Sequence, residues 1–167
     1  MRPKITVQLF DNKSINRAIR RLEEYKAWIL QKEEEFLTEL AWMGATRVKM
    51  VLARPQYDGN TNFSVYFDID SGVATISANG QEIAFVEFGA GVWYNDAESY
   101  PLPRPDCIVG IGQYGKGKGN DPRGWWFSKD GESRFTRGNP PAMAFYKAKV
   151  EIEESIGNVA RKVFKHG

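Results

Sequence analysis

Residues 1–167 read as a single α+β domain: a small antiparallel sheet packed against a long N-terminal helix and a C-terminal helix, with a long Gly-, Pro- and aromatic-rich loop. Three patterns lead there. Apolar residues recur at helical spacing through 11–54 and again through 140–164. Between them, residues 61–88 alternate with a period of two around glycine-containing turns. The stretch 89–135 keeps neither period, and so long a loop in a compact domain is usually functional or folded onto a neighbour.

In the first segment Asp11 or Ser14 can cap the opening turn by accepting bonds from free backbone N–H groups. Ile15, Ile19, Leu22, Tyr25, Ile29, Phe36, Leu40 and Met43 then fall on one stripe. The Glu33-Glu34-Glu35 triplet thins that stripe and Gly44 weakens the helix locally, so one long helix and two shorter ones are both compatible with it. Pro55 disfavours helical geometry in Arg54, and Asp58-Gly59 suits a turn. Phe63, Val65, Phe67 and Ile69 alternate as a half-buried strand; Asp70-Ser71-Gly72 turns the chain, and Val73, Thr75 and Ser77 continue the period. Asn79-Gly80 is a hairpin signal, which makes Ile83 to Phe88 a third strand of a meander. Inside 89–135, RGWWFSKDGESRFT fits a hairpin with Asp130-Gly131 at its turn, giving three or four strands in all. The last helix is expected from about Pro140 to Phe164, with Phe145, Ala148, Ile152, Ile156, Val159 and Val163 on its apolar stripe.

Hydrophobic residues make up 42% of the chain and aromatics 13%, enough for a core, and no apolar run is long enough to span a bilayer. The N-terminal stretch lacks the features of a signal peptide. A single cysteine, Cys107, excludes an internal disulfide, and synthesis in the cytoplasm fits. The net charge of +2 conceals a segregation. Residues 61–103 carry six acids (Asp68, Asp70, Glu82, Glu87, Asp96, Glu98) and no base, whereas 104–137 carry seven bases against four acids. Oriented surfaces and ordinary solvated faces explain this equally well.

The common chemical motifs fail on context. GIGQYG, 110–115, matches the dinucleotide-binding glycine pattern, and GIGQYGKG matches a P-loop as far as its lysine. Both require a helix immediately afterwards to present N–H groups to phosphate. Here KGKGNDPRG follows, and Gly117 stands where a hydroxyl for magnesium is needed. One cysteine and one histidine, His166, at distant positions cannot assemble a zinc site or a convincing nucleophile–base pair. Glu87 with Asp96 or Glu98 remains an arithmetical possibility for acid catalysis. No cofactor or metal is expected.

Tyr114, Lys116, Lys118, Arg123, Trp125 and Trp126 form a basic aromatic loop with three readings. The tryptophans pack beneath the loop; or they anchor a protein partner, as Trp, Tyr and Arg often do; or they stack bases while the lysines track a phosphate backbone. Packing ranks first, docking second, nucleic acid third.

Three boxes occur in one order: LARPQYDGNTN after the first helix, IAFVEFGAG at the end of the meander, and RFTRGNPPAMAFYKA before the last helix. This order resembles a family of small morphogenesis proteins of long-tailed phages, described as minor capsid, neck, head–tail connector or tail-completion proteins. Val86-Glu87-Phe88-Gly89 with Gly91 fits that family's Val-Glu-Phe-Gly-Thr-Gly-like box, with Ala90 for Thr. Thr136, Gly138 and Phe145 fit its Thr-x-Gly-x-x-Ala-x-Pro-Phe box, with Ala144 at the proline. Pro55 and Gly59 fit its first turn, with Asp58 for Thr. The overlay covers residues 15–164.

The resemblance implies a non-enzymatic structural protein of the virion neck, acting in a closed ring of six or twelve copies around the DNA channel. Its partners would be adjacent connector, portal-side or tail-tube and terminator proteins, with packaged DNA passing without sequence-specific binding and no membrane involved. The residues expected at interfaces are Glu87, Phe88, Trp93, Tyr94, Arg137 and Phe145, together with the loop residues Tyr114, Lys116, Lys118, Arg123, Trp125 and Trp126. Glu87 alternates with Val86 and Phe88, and is expected to face a lumen or a basic neighbour; the base-free segment would present a negative surface to the channel. Gly89 and Gly91 would let the third strand leave the sheet sharply. Asn139 is expected to cap the last helix, Pro140 to occupy its first position and Phe145 to anchor it. The alternative reading is a nucleic-acid-binding module built on loop 114–126.

Overall fold

The computed structural model describes residues 5–8, 11–53, 62–80, 83–89, 125–129, 131–136 and 141–165, and the structural statements below concern these. The architecture is α+β. Helix α1 spans Asn12–Leu52, and strands β1 (Ser64–Asp70) and β2 (Val73–Asn79) form an antiparallel hairpin. A short helix α2 (Ile83–Phe88) follows; β3 (Trp125–Lys129) pairs with β4 (Glu132–Thr136); α3 (Ala144–Val163) closes the order.

The first segment is one unbroken helix of 41 residues, about 61 Å long at 1.5 Å per residue. Asp11 caps it, its carboxylate accepting from Lys13 N at 3.0 Å. Ser14 plays another part, its hydroxyl accepting from Gln8 N at 2.9 Å. Gly44 does not break the helix because it serves packing. A Cβ there would lie 2.5 Å from Ile76 Cδ1 and 2.6 Å from Ile152 Cδ1, so side chains of β2 and α3 close onto this bare backbone.

The core lies over the C-terminal half of α1. Val48, Val51 and Leu52 are buried with Val86, Ala142, Ala144 and Ala148, flanked by Phe63, Val65, Ile76, Ala78 and Phe145. Farther along, Leu40, Val159 and Val163 form a second cluster with Phe36, Met43, Ile152 and Phe164. The end of α3 reaches Trp28, whose ring meets Phe164 edge-on at 6.3 Å. Arg47–Glu151 at 3.2 Å and Lys162–Glu39 at 2.7 Å link the two helices at their margins, where exposed pairs add little stability.

Both hairpin turns behave as their glycines require. Asp70 pairs with Val73, leaving Ser71 and Gly72 at the turn with φ of 50° and 77°, the double positive φ of a type I′ turn. Lys129 pairs with Glu132, and Gly131 has φ 80°. The expected third strand, however, is the helix α2. A short apolar run such as Ile83-Ala84-Phe85-Val86 is ambiguous between the two states, and packing against α1 and α3 decides for helix. The expected single sheet of three or four strands is therefore two separate two-stranded sheets. Gly80 does not turn a hairpin but permits close passage: a Cβ there would lie 2.7 Å from Asn62 O. The last helix begins at Ala144, later than the expected Pro140. Residues 54–61 and 90–124, including the first turn box and the glycine motifs, lie outside the described residues. Among the described residues no helix is long and apolar enough to cross a membrane.

Candidate functional site

Helix α3 starts without a capping side chain of its own. Its N-cap residue, Met143, sits in left-handed geometry (φ 57°, ψ 44°) and makes no side-chain cap bond. The first N–H groups of a helix still need acceptors, and the helix dipole favours a negative one. Glu87 supplies it from 57 residues away. Its carboxylate accepts from Ala144 N at 2.6 Å and from Phe145 N at 3.1 and 3.2 Å. Two backbone bonds align the same strip: Ala142 N donates to Val86 O at 2.7 Å, and Met143 N donates to Glu87 O at 3.3 Å. Lys147 Nζ donates back to Ala142 O at 2.8 Å.

The result is a clasp between the end of α2 and the start of α3. Glu87 is only 3% exposed, and buried charge persists where hydrogen bonds satisfy it. Gly89, buried at φ 78°, then turns the chain away; only glycine takes that geometry without strain. Glu87 is therefore turned inward to the start of α3 and is not presented to a lumen. Residues 86–88 being helical rather than extended, the alternation that would have pointed it outward does not apply. The expected acidic surface is narrowed accordingly: Asp68 and Asp70 are exposed on one face of β1, Glu87 is withdrawn, and Glu82, Asp96 and Glu98 lie outside the described residues. Asn139 and Pro140 are likewise outside them, and the capping role expected of Asn139 is filled by Glu87.

Phe145 is half-buried against the main core, as an anchor should be, and Phe88 is half-buried beside the clasp. Trp126 is different. It pairs across the β3–β4 hairpin with Phe135, the rings edge to face at 5.4 Å, yet it stays 65% exposed. Packing beneath the loop, the reading ranked first, does not describe Trp126; the face it shares with Phe135 is open. Trp125 lies in β3, while Trp93, Tyr94, Tyr114, Lys116, Lys118, Arg123 and Arg137 are outside the described residues.

Two other features complete the inventory. A wide-open crease of about 800 Å³ runs beside the end of α3, lined among others by Lys32, Glu35, Glu39, Trp42 and Lys162. Four of its charged side chains pair with one another, Lys32 with Glu35 and Lys162 with Glu39. Among the described residues no group of three or more His, Cys, Asp and Glu is placed to hold a metal ion. The clasp was not readable beforehand: Glu87 and Ala144 are far apart in sequence, and the only signal was a carboxylate inside an apolar run. Compared with protein-family models, with curated proteins and with solved structures, the chain matches none.

Proposed function

We propose that this chain is a structural component of the neck of a long-tailed phage particle, joining head to tail by protein–protein contacts in a closed ring around the DNA channel. The observation that carries the reading is the clasp. Two of the three boxes on which the resemblance rests, Val86-Glu87-Phe88-Gly89 and the segment ending at Phe145, are a single hydrogen-bonded unit in space. Val86 and Glu87 of one box thus meet Ala142 to Phe145 of another, which gives the pairing of the two a physical reason.

The same unit supports an interface role for what lies between. Val86 and Glu87 on one side of the 90–140 segment and Ala142 and Met143 on the other are hydrogen-bonded to each other. Loops held in this way on a firm scaffold are where proteins carry recognition. The exposed Trp126–Phe135 pair is the described part of that excursion, and aromatic residues anchor interfaces disproportionately. In this reading the excursion contacts neighbouring subunits of a six- or twelve-fold ring and the adjoining connector, portal-side or tail-tube proteins.

Disrupting the gene in the phage that encodes it tests the reading. Filled heads and finished tails should accumulate unjoined, with joining restored by the chain supplied in trans. Normal yields of tailed, infectious particles would overturn it. The exposed Trp126 also favours a second reading, a nucleic-acid-binding surface on loop 114–126. That reading requires the isolated protein to bind DNA with a steep salt dependence, measurable by fluorescence anisotropy.

A further inference from the structure

The apolar stripe of α1 is much longer than what covers it. Over Leu40, Gly44, Val48 and Val51 the stripe is buried. The covering elements end in the middle of the helix. The β1–β2 turn comes alongside at Glu33, whose Oε1 would lie 3.2 Å from a Cβ at Gly72, and the end of α3 reaches Trp28 through Phe164. Beyond that, Ile15, Ile19, Leu22, Ile29 and Leu30 continue the same side of the helix and are exposed, Leu22 by 52% and Leu30 by 54%. A seam that is core along one half of a helix continues along the other with these five side chains exposed, Lys26 lying between them, and with Ser14 and Ala18 buried at its edge.

The charges on the bare half indicate what fits it. Residues 12–22 carry Lys13, Arg17, Arg20 and Arg21 and no acid, whereas Glu23 and Glu24 follow at once. Arg20-Arg21-Leu22-Glu23-Glu24 is inverted in sign about Leu22. A two-fold axis through Leu22, with the partner helix antiparallel, sets Arg20 of each copy alongside the other copy's Glu23 and Glu24. The same axis brings Ile15 opposite Ile29, and Leu22 opposite itself. A parallel pair would place base on base and acid on acid, at a cost.

We propose that the N-terminal half of α1 is a self-association surface, which pairs antiparallel with α1 of a second copy of this chain about an axis at Leu22. The contact is isologous, each patch meeting its own copy. A cyclic ring with a head side and a tail side contains no two-fold of this kind, so under the neck reading the pair would belong to the free subunit. It does not rest on the neck reading, and its failure would leave that reading standing.

Sedimentation equilibrium of the purified full chain at low salt should give a dimer that weakens as salt is raised. Leu22→Glu should raise the dimer dissociation constant by about tenfold or more, since it buries like charges at the axis. Circular dichroism melts of that variant should match the parent at concentrations low enough that both are monomeric, because Leu22 is outside the core. Orientation is read by cross-linking in a Cys107→Ser background. Ile15→Cys mixed with Ile29→Cys should form a cross-linked dimer. Ile15→Cys alone should not, its two copies being about 21 Å apart along the antiparallel pair. A monomer at all concentrations, an association indifferent to Leu22→Glu, or self-cross-linking of Ile15→Cys would each overturn the proposal.

Discussion

At the scale of single residues, Glu87 and Gly44 carry more of this structure than their surroundings advertise. Glu87 satisfies the N–H groups of Ala144, which is fully buried, and of Phe145. Glu87→Ala removes charge-assisted bonds and strands a buried donor, which should cost about 2–4 kcal/mol. Glu87→Gln keeps an acceptor oxygen and should lose only part of that. Urea denaturation of both variants ranks them; equal midpoints for parent and Glu87→Ala would show that the clasp contributes nothing. Gly44→Leu forces a branched side chain into space already held by the Ile76 and Ile152 methyls. Overpacking of this kind costs about 1–3 kcal/mol, to be read as a lowered melting temperature.

At the scale of elements, what was legible in the sequence depended on whether the signal was local. Both hairpin turns were, because Ser71-Gly72 and Asp130-Gly131 carry their backbone preference in their own residues. The Asp11 cap was legible for the same reason, as were the two long helices from their apolar period. Helix α2 was not, since six apolar-rich residues alternate well enough for a strand, and only contact with α1 and α3 decides the matter. Nor was the start of α3 legible: its cap is a side chain 57 residues upstream, which no window along the chain contains. The stripe of α1 was legible as a stripe, but not how much of it is covered, because periodicity shows which residues share a side and not what lies over them. The β3–β4 hairpin supplies an element-scale prediction. Trp126→Ala should change the unfolding free energy by less than about 0.5 kcal/mol, as exposed positions do, while abolishing particle joining. A large fall in stability would mean that Trp126 belongs to the fold rather than to an interface.

At the scale of the whole molecule, the design separates a locked base from the surfaces it presents. The core over the second half of α1, together with the clasp, holds α3 and both ends of the 90–140 excursion. Among the described residues, the first half of α1 and the aromatic hairpin each expose large apolar side chains, on α1 between charged ones. Large exposed apolar side chains grouped in this way are what contact surfaces are made of. Quantitative mass spectrometry of purified particles from the encoding phage is the most direct test of the neck assignment. The expected result is a low copy number, six or twelve per particle in keeping with a single ring and close to that of the portal. Absence of the chain from intact, infectious particles would contradict the assignment and return the exposed Trp126 to its nucleic-acid reading.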